Sequence, residues 1–93
     1  MNAYLYVNVS ATASVTIQSS DYDGSGFLHG IIVGDIGTNP VITIYDSSSV
    51  SVTTTIISTL KPTITGPYLY DVNFRQGLYV KVTGTPNFTI LYL

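Results

Sequence analysis

The chain has 93 residues, the size of one small domain, so residues 1–93 are treated as a single unit. Only 9% of the residues are charged, against about 25% in an ordinary soluble domain, and the formal net charge is −2. Three Lys and Arg residues cannot build the basic patch that nucleic-acid binding needs, so no nucleic-acid partner is predicted. Cysteine is absent, which excludes disulfides and thiol chemistry. A domain this small then depends on good packing or on partner subunits.

Membrane and export signals are weak. Hydrophobic residues make up 45% of the chain, but no run of about 18 apolar residues predicts a membrane-spanning helix. The first residues lack a basic stretch followed by an apolar one, so no signal peptide is expected. The segments starting at Asn8 and Asn87 match the N-glycosylation pattern, and without an export signal both are interpreted as chance. No membrane partner is predicted.

Strand-forming residues dominate the chain from end to end. Glutamate is absent and alanine occurs only in the first thirteen residues, whereas Thr, Val, Ile and Tyr are abundant. Clusters of Gly, Pro, Asn, Asp and Ser separate short apolar runs at nearly regular intervals. In chain order, the predicted strands span residues 4–9, 14–18, 27–33, 41–45, 50–59, 68–74, 78–82 and 87–93. About eight short strands with turns between them predict an all-β domain, a compact antiparallel β-sandwich or jelly-roll-like fold.

Alternation along these strands predicts which side chains face the core. The first strand places one row of apolar residues inward and Tyr4 and Tyr6 outward. Residues 27–33 are apolar on both faces, which predicts burial on both sides. Residues 68–74 point Tyr68, Tyr70, Val72 and Phe74 one way. The strand at 78–82 places Leu78, Val80 and Val82 inside, with Tyr79 and Lys81 outside.

The last strand is apolar on both faces, with Leu91 and Leu93 opposite Phe88, Ile90 and Tyr92. As a C-terminal edge strand it would invite aggregation if it were exposed. We therefore expect it to be covered by the second sheet or by a neighbouring subunit.

Candidate chemistry is sparse. Asp21 and Asp23 resemble half of a calcium loop, but no glutamate follows, so an Asp-Gly turn is preferred over a metal site. His29 is the only histidine, and Asp35 or Asp71 could in principle orient it, yet no Gly-x-Ser-x-Gly motif supplies a nucleophile. A packed or interface histidine is the preferred interpretation. The sequence thus predicts no catalytic, cofactor-binding or metal-binding residue, and no enzyme.

The tyrosines indicate a protein interface, although less specifically than a motif would, because tyrosine supplies a rigid contact area with a polar tip and is enriched at interfaces. Alternation places three of the eight tyrosines on the polar faces of their strands. Ordinary sheet packing is the alternative interpretation, and stacking of tyrosine on sugars is a third. The predicted interface residues are Tyr4, Tyr6, Tyr79, Leu91 and Leu93.

Two segments carry a resemblance. "GIIVGDIGTNPVITIYDSSS" at 30–49 and "GPYLYDVNFRQGLYVKVTGTPNFTILYL" at 66–93, with the Thr-rich stretch between them, resemble small virion structural proteins of tailed bacteriophages. Several of these are capsid cement or decoration proteins. The resemblance implies a β-sandwich or jelly-roll subunit, often a homotrimer, bound to the major capsid protein on the outer capsid surface. It assigns no functional residues.

The sequence leaves three functions open. The first is a cement protein that stabilises a capsid shell by bridging its subunits. The second is a phage tail or fibre module that binds a host glycan or another virion protein. The third is an enzyme, which only His29 suggests.

Overall fold

The computed structural model describes residues 4–10, 14–17, 26–47 and 56–93. Their β-branched and aromatic residues form eight strands, and no helix occurs in these ranges. None of the described segments is therefore a helix long and apolar enough to cross a membrane. The strands are β1 (Leu5–Ser10), β2 (Ser14–Ile17), β3 (Gly26–Asp35), β4 (Val41–Tyr45), β5 (Ile56–Leu60), β6 (Gly66–Phe74), β7 (Leu78–Thr83) and β8 (Asn87–Tyr92).

The strands form two antiparallel sheets of four. Sheet A has the order β1-β8-β3-β6, and sheet B has the order β2-β7-β4-β5. The first strand pairs with the last, the second with the seventh, the third with the sixth and the fourth with the fifth. This is the pairing of one long hairpin rolled up so that its strands alternate between sheets, which is a jelly roll. The predicted all-β sandwich is confirmed.

The core lies between the sheets and follows the period of two. Each strand turns alternate side chains inward, and a fully buried Val, Leu, Ile or Phe stabilises the fold by roughly 1.5–3 kcal/mol. Phe74 and Phe88 are the largest of the fully buried side chains. The buried cluster comprises Val9, Leu28, Ile31, Val33, Ile42, Ile44, Phe74, Leu78, Val80, Val82, Phe88 and Ile90. The inward rows predicted for 68–74 and 78–82 are confirmed, with Tyr68, Tyr70 and Val72 partly buried against this cluster.

Two strands differ from the prediction. β8 is not an edge strand, because β1 and β3 bond to its two sides. The edges of sheet A are β1 and β6 instead. β3 is not buried on both faces either, since Ile32 points away from sheet B and is 42% exposed. An apolar run reports that a strand is central in its sheet, but it does not show that both faces of that sheet are covered.

Strand boundaries differ where tertiary position overrides local signals. β6 begins at Gly66, two residues before the predicted start at residue 68, so the strand includes Pro67. β6 is an edge strand, so the N–H that Pro67 lacks deprives no neighbouring strand of a bond. The strand predicted for 50–59 is observed from Ile56 onward, and residues 48–55 lie outside the described ranges, as does the predicted turn at Asp21 to Gly24.

The two connections that follow β3 and β7 lie against each other. Thr85 donates its backbone N–H to the Thr38 carbonyl at 3.2 Å, and its side-chain oxygen accepts from the Thr38 N–H at 2.9 Å. Gly37 (φ 68°) and Gly84 (φ 82°) have left-handed backbones, and a Cβ on either would collide with the backbone of the other loop. These contacts lock sheet A to sheet B at one end of the sandwich.

Candidate interaction surface

Sheet A presents an outer face that is largely apolar. Register places Tyr6, Leu91, Gly30 and Leu69 side by side across its four strands. The next row towards β3's C-terminal end holds Asn8, Thr89, Ile32 and Pro67. We call the outward residues that carry apolar surface here the apolar face: Tyr4, Tyr6, Ile32, Leu69, Leu91 and Leu93.

The apolar face concentrates the exposed hydrophobic side chains of the described residues. Eight large hydrophobic residues are exposed in those ranges, and five of them belong to this face. Tyr6 is 72% exposed and Leu69 is 63% exposed, while Ile32, Tyr4 and Leu93 are less so. Scattered exposed apolar residues are normal on a protein surface, but a contiguous group across one sheet indicates a contact surface.

A β-bulge at one end of the apolar face positions an ion pair, which is the only one among the residues that the structure describes. Tyr70 and Asp71 of β6 lie opposite the single residue His29 of β3, and Asp71 has a left-handed backbone (φ 51°), which Asp tolerates better than most residues. This bulge brings the His29 Nδ1 within 2.6 Å of the Asp71 Oδ1. The Tyr4 ring stacks on the imidazole, with centroids 4.2 Å apart and an interplanar angle of 9°.

This cluster has limited chemistry. A carboxylate that orients an imidazole is part of a nucleophilic triad, but the third member must hydrogen-bond the other ring nitrogen. Among the described residues the His29 ring has its polar contact with Asp71, and no group of three or more His, Cys, Asp or Glu residues is placed to hold a metal. Asp21 and Asp23 lie outside the described ranges. The pair joins β3 to β6 and offers a polar point on the rim of the apolar face.

The opposite end of the same sheet is polar and tightly bonded. The Asn8 side-chain amide donates to the Asn87 Oδ1 and the Thr89 Oγ1, both at 3.1 Å, and lies 3.2 Å from the Phe88 carbonyl. These bonds fasten β1 to β8 on the outer side. The apolar face is thus bounded by amide and hydroxyl groups at one end and by the His29–Asp71 pair at the other.

Sheet B presents a different outer surface. Its exposed outward residues in the described ranges are Thr16, Ile56, Thr59, Lys81 and Thr83. Tyr45 and Tyr79 are opposite each other on β4 and β7, and their rings stack with centroids 5.6 Å apart. Both tyrosines are buried, so this surface exposes chiefly hydroxyls, one ammonium group and one isoleucine.

The structure brings together four of the five predicted interface residues. Tyr4, Tyr6, Leu91 and Leu93 belong to the apolar face. Tyr79 does not: it lies in the other sheet, is 7% exposed and stacks on Tyr45, so its placement on an exposed surface was wrong. Alternation shows that a side chain leaves the core, but it does not show whether a neighbouring ring then covers it.

Sequence reasoning missed Ile32, Leu69 and the His29–Asp71 pair. The apolar run at 27–33 predicts burial of Ile32 together with its neighbours. Leu69 lies on the same side of its strand as the polar Asp71 and Asn73, so the pattern gives no sign of an apolar surface there. Asp71 was named as a partner for His29 only in principle, since 42 residues separate the two. Only the pairing of β3 with β6 shows that they meet.

Comparison with known proteins adds no relative. No protein-family model and no curated protein matches this chain.

Proposed function

We propose that this protein is a non-enzymatic structural subunit that stabilises a viral capsid by docking on its outer surface. The apolar face of sheet A is the observation that carries the proposal, and the resemblance to small tailed-phage virion proteins supports it. Jelly rolls recur in capsid proteins, although the same fold serves lectins and cupins, so this support is by analogy.

The apolar face is small, which suits weak binding of many copies to a repeating shell better than tight binding of a single copy. Three strand spacings and two steps of two residues along the strands give an area of about 200 Å². At about 25 cal/mol per Å², its burial would contribute roughly 5 kcal/mol, which is at the lower end of the estimated 4–15 kcal/mol that association costs. One copy would therefore bind weakly through this face alone. A shell that displays many sites compensates by number, which suits a cement protein.

The charge pattern supports a neutral partner surface. Within the apolar face and at its rim, His29 and Asp71 are the ionisable residues besides tyrosine, and they pair with each other. The other carboxylate in the described strands of sheet A, that of Asp35, lies at the far end of β3 opposite Asn87, where it accepts the Gly37 backbone N–H. A surface without unpaired charge loses little solvation energy when it is covered. The partner patch is therefore expected to be apolar with hydrogen-bonding groups at its margin.

Particles of the virus that encodes this chain provide the test. Particles lacking the protein should release their genome at a lower temperature, and adding the purified protein should restore the higher one. Electron microscopy of the restored particles should show ordered copies on the shell. An unchanged release temperature together with an undecorated shell would overturn the proposal.

A matched pair of variants tests the face itself. Leu69→Asp places a charge at an exposed position of the apolar face on β6, so it should abolish decoration without unfolding the domain. Thr59→Asp adds the same charge at an exposed position on the outer surface of sheet B and should leave decoration intact. Equal loss in both variants would show that another surface binds.

A glycan-binding tail or fibre module is the second candidate. The Tyr6 ring is 72% exposed beside Asn8, and a flat ring next to an amide is a combination that binds sugars. Glycan-array binding that disappears in Tyr6→Ala, with no decoration of shells, would favour this function over the first.

A further inference from the structure

The four edge strands of the sandwich are not equally protected against pairing with another strand. Natural edges are blunted by short length, proline, charge or a bulge. β2 has only four residues, β5 is bulged where it pairs with Tyr45, and β6 contains Pro67 and the bulge at Asp71. Three of the four edges thus carry a recognised protective feature.

β1 carries none of them. Its six residues, Leu5–Ser10, pair with β8 without a register shift and include no proline, glycine or charged side chain. Its other side has no strand partner in the described sheets. Leu5 follows the inward parity of Val7 and Val9 but is 54% exposed.

We propose that β1 pairs with β1 of a second copy of this chain, which joins two A sheets into one antiparallel sheet of eight strands. The two-fold axis would pass through Val7, so that Val7 lies opposite Val7, Leu5 opposite Val9 and Tyr6 opposite Asn8. This register sets inward residues against inward ones and outward against outward ones, which a shift by one residue would destroy.

A second copy is the occupant that the strand itself favours. The segment from Tyr4 to Ser10 has no charge, so two copies meet without repulsion, and its alternation is symmetric about Val7. Leu5 of each copy, which has Tyr92 on one side, gains Val9 of the other copy on its free side. The two-fold axis is perpendicular to the sheet, so both apolar faces point the same way and form one continuous surface.

This pairing is closed and isologous, and it gives a dimer. The resemblance to phage virion proteins implies a trimer, whereas this pairing gives a dimer, so the measured oligomeric state distinguishes the two. The inference does not depend on capsid docking, because it concerns the edge of sheet A and not its outer face.

Mass and crosslinking test the dimer together. Sedimentation equilibrium should give twice the 10.0 kDa of the chain as concentration rises. The chain has no cysteine, so Val7→Cys introduces a unique thiol opposite its own copy. Directly opposed residues have Cα atoms about 4.5–5.5 Å apart, within the range of a disulfide, so mild oxidation should yield a covalent dimer. Leu69→Cys, on the opposite edge of the same sheet, should still self-associate but should form no covalent dimer on oxidation.

A charge variant gives an independent measurement. Tyr6→Lys alters an exposed side chain next to the free edge, and it should raise the dimer dissociation constant about ten-fold or more while the melting temperature of the monomer stays unchanged. Leu69→Lys is its control and should leave self-association unaltered. A monomer at the highest accessible concentration, a trimer, or crosslinking by Leu69→Cys in place of Val7→Cys would overturn the proposal.

Discussion

The two outer surfaces of this sandwich share one core and one rule of alternation, yet they differ in chemistry. Sheet A turns Tyr6, Ile32 and Leu69 to solvent, whereas sheet B turns threonines and Lys81 outward and keeps its aromatic pair covered. A difference of this kind is not required for folding, because either surface would satisfy a two-layer fold. The difference supports the proposed contact role of sheet A, whereas the hydroxyl-rich surface of sheet B is suited to contact with water.

Two ring pairs make the contrast sharper. Tyr45 and Tyr79 stack on sheet B and are both buried, so they contribute to stability. Tyr4 and His29 stack on sheet A at a closer distance, but Tyr4 stays 40% exposed and the imidazole is held by Asp71. A stacked ring pair is therefore buried on sheet B, whereas on sheet A the stacked Tyr4 ring remains accessible to a partner.

Variants of the shared core, of the tyrosines on each sheet and of the His29–Asp71 pair test this difference between the two surfaces.

The largest effect should come from the shared core. Phe88→Ala removes a fully buried ring between the sheets and should lower the free energy of unfolding by about 3–5 kcal/mol. Denaturant unfolding followed by circular dichroism measures this change. A loss below about 1 kcal/mol would mean that the two sheets do not share one packed core, and the comparison of their outer faces would fail with it.

Truncation of one tyrosine on each sheet directly tests whether the two surfaces differ in their contribution to stability. Tyr79→Ala removes a buried, stacked ring and should cost about 2–4 kcal/mol of stability. Tyr6→Ala removes the same atoms from an exposed site and should change the stability of the monomer by no more than about 0.5 kcal/mol. The same unfolding measurement serves both variants. Equal losses would show that Tyr6 is a packing residue and not a contact residue.

A hydrogen-bonding carboxylate at one end of the sandwich should matter to both sheets. The Asp46 carboxylate accepts the backbone N–H groups of Arg75 at 2.9 Å and Gln76 at 2.8 Å, in the turn that leads from β6 of sheet A to β7 of sheet B. Asp46→Ala leaves these donors without their acceptor and should cost about 1–2 kcal/mol. Asp46→Asn retains one acceptor oxygen and should cost less in the same assay. An unchanged stability for the alanine variant would contradict this role.

The smallest effect should come from the ion pair on sheet A. His29 and Asp71 are partly exposed, so solvent screens their interaction, and their coupling should stay below about 1 kcal/mol. Asp71→Asn is the suitable probe, because asparagine tolerates the left-handed backbone at this bulge. A double-mutant cycle with His29→Ala measures the coupling. A coupling of several kcal/mol would show that this rim is a stability element like the buried tyrosines of sheet B.

Local patterns carried much of the fold. The absence of glutamate, the scarcity of alanine and the regular turn clusters were enough to predict about eight strands in two layers, because strand propensity and turn chemistry act over a few residues. The inward residues of β6 and β7 followed from parity alone. Alternation also separated Leu91 from the inward row of Phe88 and Ile90, but the prediction that β8 is an edge strand was wrong, since β1 and β3 pair with its two sides.

Composition, alternation and turn residues were sufficient to predict the all-β class, the inward and outward parity of most strands and the small number of titratable groups. Which strands are edges, which outward residues are covered and which distant groups meet depends on strand pairing and can be seen only in the folded chain. Propensity, parity and turns arise from neighbours along the chain, whereas the pairing of β1 with β8 and of β3 with β6 joins residues far apart in it. The low charge and the apolar outward residues could be counted in advance. Only the folded chain shows that the apolar outward residues lie on one face of one sheet, beside the edge strand β1.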